Sequence, residues 1–172
     1  MASVWLEQAL RAEGTTTAES LDGDYRADIC IVGGGYTGLW TAFELKSRDP
    51  SLDIILIEKD ICGAGASGAN AGYALSLWIQ YQMLNGLYGV DEALRLCHES
   101  ERTIDEIGAF SAEHNVDAQW RRTGSIWGAS CDSQSGHWGP ILDGLRERQV
   151  HQFDVLDREQ ITDLTGDRKS VV

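Results

Sequence analysis

Six residues near the start of the chain have the types and spacing for one task. Gly33-Gly34-Gly35-Tyr36-Thr37-Gly38 reads G-x-G-x-x-G. Glycine clusters are common in loops, so the motif means little without its surroundings. Here it follows an apolar run at 28–32 (Asp-Ile-Cys-Ile-Val) and opens a helically spaced stretch at 36–48. Glu58 lies 20 residues after Gly38, at the end of a second apolar run at 53–58. These are the required parts of a dinucleotide-binding fingerprint. Gly33 permits the tight turn out of the strand, Gly35 lets the backbone approach a pyrophosphate, and Gly38 lets the helix pack close to the sheet. The N–H groups of the helix's first turn, at its positive dipole end, then face the phosphates. Glu58 can accept both hydroxyls of an adenosine ribose, and its charge disfavours a 2′-phosphate, which argues against NADP. The plainer reading is a glycine turn in an unrelated α/β protein, with Glu58 an ordinary solvated strand end.

The elements that must hold these residues follow from periodicity. Residues 28–32 and 53–58 have strand length and composition, and 36–48 carries Leu39, Ala42, Phe43 and Lys46 at helical spacing before Asp49-Pro50 stops it. Strand, glycine turn, helix, strand is the unit that requires a parallel pair with a crossover. Ahead of it, residues 1–26 read as an arm with a short apolar helix near 4–10. Beyond it, 91–115 reads as a long amphipathic helix with Leu94, Cys97, Ile104, Ile107 and Phe110 on its apolar face. Short strands are expected at 119–121, 124–128 and 153–156. A helix is expected at 135–148, with Trp138, Ile141, Leu142 and Leu145 inward and Pro140 in its first turns. Asp157 and Gln160 form a capping box for a last helix that Gly166 stops. The six residues 167–172 carry no helix or strand signal, so the sheet looks incomplete and the chain cut at its C-terminal end.

FAD and NAD share the fingerprint, and the stretch 63–72 helps to choose between them. It holds four Gly, four Ala, Ser67 and Asn70. Composition alone would suggest a flexible linker. It begins only five residues after Glu58, however, before a third strand, where a hinge would be badly placed. Small residues there let backbone N–H groups and the Ser67 hydroxyl press against a large flat ligand, with Ser67 and Asn70 the polar side chains of the run.

The segments 27–39, then Ala42, Leu45, Glu58-Lys59 and Gly65-Ala66-Ser67-Gly68-Ala69-Asn70-Ala71-Gly72 resemble the D-amino-acid oxidase-like family of FAD enzymes. The likeness is greatest to its glycine oxidase and gamma-glutamylputrescine oxidoreductase branch. Trp5-Leu6 and the segment 120–125 (Trp-Arg-Arg-Thr-Gly-Ser) are similar to that branch too. The resemblance implies Tyr36 and Thr37 at the phosphates, Glu58 and Lys59 at the adenosine, and Ala66 and Ser67 at the pyrophosphate. It places Asn70, Ala71, Gly72 and Tyr73 along the ribityl chain and the flavin ring. Family members often have Arg where this chain has Ala69, so one contact is missing. They also run on through a substrate-binding sheet and a final segment that completes the FAD cradle.

Composition sets the outer limits. Apolar residues are 42% and charged residues 24%, as in a folded globular protein. The net charge of −13, from 14 basic and 27 acidic side chains, repels phosphate backbones and anionic membranes. No apolar run spans a bilayer and no secretory signal opens the chain, so a cytoplasmic protein is expected. Cys30, Cys62, Cys97 and Cys131 lack C-x-x-C spacing and are expected as buried reduced thiols, with no metal site. His98, His114, His137 and His151 show no ligand spacing. Cys62 reads as a packed thiol rather than a flavin tether. The six tryptophans read as core and interface mass, and Arg121-Arg122 as either a carboxylate holder or a solvated pair.

The expected protein is therefore α/β: a Rossmann-like FAD-binding βαβ unit with added helices and short strands, truncated at its C-terminus. Residues 27–172 would be an incomplete FAD-binding domain, with substrate-domain elements starting at about 117. The expected reaction is FAD-linked oxidation of a C–N bond in a small-molecule amine or amino acid, with the fragment alone inactive. No catalytic acid or base can be named, and substrate, electron acceptor and oligomeric state stay open. The rival readings are an NAD-binding dehydrogenase domain and a catalytically silent nucleotide-binding fragment.

Overall fold

The computed structural model describes residues 3–14 and 18–166. The chain divides into two compact units, Met1–Tyr73 and Ala74–Val172. The expectation for 167–172 lies outside the described residues, as do residues 1–2 and 15–17 of the expected arm.

The first unit starts with helix α1 (Val4–Glu13), whose N-cap Ser3 accepts the Leu6 N–H and whose C-cap is Gly14 at φ 81°. Strand β1 (Ile29–Val32), helix α2 (Tyr36–Arg48) and strand β2 (Ile54–Ile57) follow in the order the sequence predicts. β1 and β2 pair in parallel, with Ile29 opposite Ile54 and Val32 opposite Ile57. The ladder is extended at both ends. Asp28 and Ile29 donate to the Asp53 carbonyl, the Asp53 N–H returns to the Asp28 carboxylate at 2.9 Å, and the Gly33 N–H reaches the Ile57 carbonyl at 2.8 Å. α2 ends where Asp49 leaves helical geometry before Pro50, and Lys46 Nζ ties the turn down on the Pro50 and Leu52 carbonyls.

β1 has alternating burial, and Ile31 is the residue close to Gly38 of α2. Cys30 and Val32 therefore point to the opposite face, where Val32 is 80% exposed. α2 turns Gly38, Ala42 and Leu45 away from solvent, while Leu39 and Phe43 of the expected apolar set are exposed. The glycine at position 38 explains the rotation: the narrowest side of the helix meets the sheet.

The second unit is helical and holds the largest buried side chains. A 3-10 turn (Leu77–Gln80) leads into α3 (Tyr81–Tyr88). Gly89, at φ 82°, ends α3 and begins α4 (Val90–Glu113). α5 (Gly139–Arg146) and α6 (Arg158–Thr165) complete it. Trp78, Tyr81, Leu84, Ala93, Cys97, Ile141 and Leu145 form one core, with Leu94, Val150 and Phe153 packed against it. Each large apolar side chain removed from water contributes about 1.5–3 kcal/mol, so this cluster dominates the unit's stability. Asp157 and Gln160 make the expected capping box, and Gly166 closes α6 in the left-handed conformation.

Three expectations need correction. No strand forms at 119–121, 124–128 or 153–156, and the only described sheet is the β1–β2 pair. Gln119 and Gly124 have φ of 48° and 75°, which no extended strand tolerates, and a strand without a partner leaves its backbone groups to water. The helix expected from 135 begins only at Gly139, because Gly136 takes φ 79° and Pro140 occupies the first turn, where a missing N–H is harmless. Of the four thiols only Cys97 is buried, and its burial pushes its pKa up to about 11. Cys30, Cys62 and Cys131 are exposed.

The Tyr81 hydroxyl is buried with no hydrogen-bond partner among the described residues. An orphaned buried hydroxyl costs its desolvation without return. Tyr81→Phe should therefore raise unfolding stability by about 1 kcal/mol in urea titration. A loss of that size would show that the hydroxyl has a partner after all.

Candidate functional site

The residues singled out by the first motif gather at the C-terminal ends of β1 and β2. Gly33 leaves β1 at φ 106°, a conformation that an L side chain resists. Gly35 is the N-cap of α2, in extended geometry, and α2 starts at Tyr36. A Cβ placed on Gly38 would stand 2.0 Å from the Gly33 carbonyl oxygen. The helix therefore begins directly over the turn that leads into it, and only glycine fits there. Its first N–H groups are brought to the end of the sheet, the geometry that suits an anion.

Glu58 sits at the end of β2 and reaches back to this turn. Its Oε2 accepts the Gly34 N–H at 2.7 Å and its Oε1 accepts the Asp60 N–H at 3.2 Å. The Gly34 bond first, then that of Asp60, holds the carboxyl below the usual glutamate range, so it is ionised at neutral pH. Each carboxylate oxygen can accept more than one bond, which leaves capacity for two outside hydroxyls. Lys59 follows, exposed.

The stretch 63–72 is not a linker. It reads Gly63-Ala64-Gly65-Ala66-Ser67-Gly68, a second G-x-G-x-x-G, whose spacing was visible in the sequence and marks the functional feature that residue-by-residue reasoning missed. It repeats the first turn's geometry. Gly63 takes φ 82° where Gly33 takes 106°, and Gly65 takes φ −83° where Gly35 takes −84°. A Cβ on Gly68 would meet the Gly63 carbonyl oxygen at 2.3 Å, as one on Gly38 meets that of Gly33. The helix opened here is a single 3-10 turn, Ala66–Gly68.

The two turns are bonded to each other. The Gly63 N–H donates to the Gly34 carbonyl at 2.9 Å, and the Tyr36 N–H donates to Ser67 Oγ at 2.9 Å. Gly34, the glycine to which the motif assigns no role, is required as well: a Cβ there would lie 2.5 Å from Cys62 Sγ and 3.2 Å from the Cys62 backbone. Asn70 fastens the second loop internally. Its Nδ2 donates to the Ser67 carbonyl at 2.7 Å and approaches the Tyr36 hydroxyl at 3.3 Å, while its Oδ1 accepts the Gly72 N–H at 2.8 Å. The N-terminal helix is anchored to the same loop, since the Ser3 hydroxyl donates to the Gly68 carbonyl. Ala71, Gly72 and Tyr73 continue outward, exposed, Tyr73 by 82%. Gly33, Gly35, Tyr36, Thr37, Gly38, Glu58, Ala66, Ser67 and Asn70 are thus brought to one place.

Residues left out of the site have ordinary surroundings. All four histidines are exposed; His98 lies edge-on to Trp78 at 4.9 Å and His114 packs on Phe110 at 4.4 Å. Arg122 pairs with Asp105 and, at 3.9 Å, with Glu101, so its charge is already answered within the second unit. Trp78 is buried, whereas Trp5, Trp120 and Trp127 are exposed. Among the described residues no group of three His, Cys, Asp or Glu side chains could hold a metal ion, and no helix is long and apolar enough to cross a membrane.

The close approach at Gly68 gives a paired test of the second turn. Gly68→Ala should lower stability by at least about 2 kcal/mol, because the clash is with backbone that cannot swing away. Gly65→Ala, with open space at its Cβ, should cost less than about 1 kcal/mol. Equal losses in thermal or urea unfolding would show that the two turns do not share a geometry.

Comparison with known proteins identifies the family of the chain. Residues 28–171 match the family model described as DAO, FAD dependent oxidoreductase. The chain is 34% identical over 144 residues to gamma-glutamylputrescine oxidoreductase of Escherichia coli, a match covering 83% of this chain and 33% of that protein. It is 32% identical over 101 residues to a probable oxidoreductase OrdL of Rhizobium meliloti, covering 58% of this chain and 23% of the relative. A protein of the same description from Haemophilus influenzae is 30% identical over 97 residues, covering 56% and 22%. The matched region thus spans a third or less of these relatives' length. No solved structure matches the chain significantly. A paired-glycine turn bracketed by an acidic strand end, in a chain whose family model covers nearly all of it, places this protein in the DAO family of FAD-dependent oxidoreductases.

Proposed function

We propose that the first unit binds FAD through the two glycine turns, and that the protein containing it oxidises a C–N bond of an amine or amino acid. The observation that carries the cofactor reading is the Glu58 carboxylate, anchored at 2.7 Å by the Gly34 N–H beside the first N–H groups of α2. The donor set fits the group. There is an ionised acceptor for ribose hydroxyls, a helix amino end for the pyrophosphate, and glycines that keep side chains away from both. Tyr36, Thr37, Ala66 and Ser67 would line the phosphates, Lys59 the adenosine, and Asn70, Ala71, Gly72 and Tyr73 the path toward the flavin. In this reading the βαβ unit is Rossmann-like and the region from about 117 belongs to the substrate side. When bound, FAD supplies a hydride acceptor, and this chain's own residues bind and orient it. The amine or amino-acid substrate is inferred from the family and from the relative named for gamma-glutamylputrescine.

Two measurements test this. Glu58→Ala should weaken FAD binding roughly 10- to 100-fold by flavin-fluorescence titration, with Glu58→Gln in between, because the amide keeps one acceptor oxygen without the charge. Unchanged affinity with intact circular dichroism would remove the ribose role. Anaerobic addition of primary or secondary amines to the FAD-loaded protein should bleach the flavin band. If a broad amine and amino-acid panel leaves it oxidised while a hydroxy acid or NADH reduces it, the substrate class is wrong.

A further inference from the structure

We infer that Ser3 is a positioning residue for the cofactor site: its hydroxyl latches the N-terminal helix onto the second glycine turn, and the turn's hold on FAD depends on that latch. This rests on the FAD reading above and deepens it. The second turn needs support from outside. Its helix, Ala66–Gly68, is one 3-10 turn, and so short a piece does not hold itself in shape. Within it the Gly65 and Ala66 carbonyls accept the Gly68 and Ala69 N–H groups, and Asn70 takes the Ser67 carbonyl. The last carbonyl, that of Gly68, has no acceptor role inside the turn. The Ser3 hydroxyl donates to it across 65 residues of sequence.

The same hydroxyl serves α1. Ser3 Oγ accepts the Leu6 N–H at 3.1 Å as the N-cap of the helix. A hydroxyl carries one donor proton and two acceptor lone pairs, so a single atom starts α1 and closes the turn. The helix is seated to match. Ser3, Leu6 and Leu10 are half-buried at helical spacing, while Val4, Trp5, Glu7, Gln8 and Ala9 are exposed. Leu6 Cδ1 lies 3.7 Å from the place a Cβ on Gly68 would occupy, so the bare glycine gives the leucine room against the turn. Ser3 and Leu6 thus bear on the backbone of one residue, and that residue directly follows Ser67. Loss of the latch frees the Gly68 carbonyl and with it the end of the loop that carries Ser67 and Asn70.

The test uses the full chain, with FAD binding followed by flavin-fluorescence titration and the loop by amide hydrogen exchange. Three substitutions separate the two duties of the hydroxyl. Ser3→Ala removes both. Ser3→Gly removes the donor, yet glycine remains a fair N-cap. Ser3→Thr keeps both. Ser3→Ala and Ser3→Gly should each weaken FAD binding roughly 3- to 10-fold. In both, the Gly68 and Ala69 amides should exchange faster, while those of β1 and β2 stay as in the parent. Ser3→Thr should match the parent in both readouts. If Ser3→Gly matches the parent, the hydroxyl is only a helix cap and the inference is overturned. Unchanged FAD affinity in all three variants overturns it too. So does faster exchange in β1 and β2 alongside the loop, the mark of a general loss of stability. A parent that binds no FAD fails the cofactor reading and this inference with it, and that result is recognised before any substitution is made.

Discussion

A helix can start immediately above the turn that feeds it only if its inward side is bare for one residue. At Gly38 that condition is absolute, since even a methyl group would enter the Gly33 carbonyl. Much of the first unit follows from this contact. It brings the first N–H groups of α2 to the ends of two parallel strands. It leaves the Gly34 N–H pointing at the end of β2, where Glu58 takes it. It also rotates α2 so that Gly38, Ala42 and Leu45 lie inward and Leu39 and Phe43 outward. The same contact recurs at Gly63 and Gly68 without a long helix behind it, so it is a property of the backbone and does not depend on helix packing.

The two units are held by different means. In Ala74–Val172, order comes from apolar burial: Trp78, Tyr81, Cys97 and Leu145 are almost wholly removed from water. In Met1–Tyr73 the described residues include no large side chain buried to that degree, and the fully buried positions are Gly34 and Gly38. There the chain is organised by a four-residue ladder, backbone bonds between turns, and three polar side chains: Glu58 and Ser67 satisfy backbone groups 24 and 31 residues away, and Asn70 those of its own loop. Each such bond is modest, about 0.5–1.5 kcal/mol net, but the groups are expensive to leave unpaired. A substitution in the second unit acts through lost volume. One in the first unit acts through a backbone N–H with nowhere to go.

This difference also decides what the sequence could tell. The first turn, the bounds of α2, the parallel pair and the α6 cap were legible because each has a local signature: a glycine at fixed spacing, a proline stop, an Asp three residues before a Gln. Strand ends shortened by a residue, as terminal pairing always blurs. The absence of strands at 119–128 was not legible, because β-propensity describes a fit to a partner, and among the described residues no strand pairs with this segment. Cys30 and Val32 show the same limit. They belong to an apolar run, and nothing in such a run says which face will be covered. Around the site, composition identified 63–72 as close-approach backbone but concealed its order, since the eye counts small residues before it measures their spacing. The Ser67–Tyr36 and Glu58–Gly34 bonds join residues 31 and 24 apart, and no local pattern specifies them.

An anionic ligand at this turn poses an electrostatic question, because the chain carries a net charge of −13. Neither glycine turn contains a basic residue. Position 69 is alanine, and the nearest cation in sequence is Lys59. Within the two turns the groups able to attract an anion are neutral dipoles: the N–H groups of α2 beyond Tyr36 and the hydroxyl of Ser67. Dipoles at contact distance compete well with a diffuse net charge, because the latter is screened over a Debye length of about 8 Å at physiological salt whereas hydrogen bonds act within 3 Å. Such dipoles act only where geometry brings them into contact with the ligand. A lysine can follow a displaced phosphate on its flexible stem, but an N–H fixed by Gly33, Gly35 and Gly38 cannot. Within the two turns, glycines, a bracketing carboxylate and a clasping loop hold those dipoles in place.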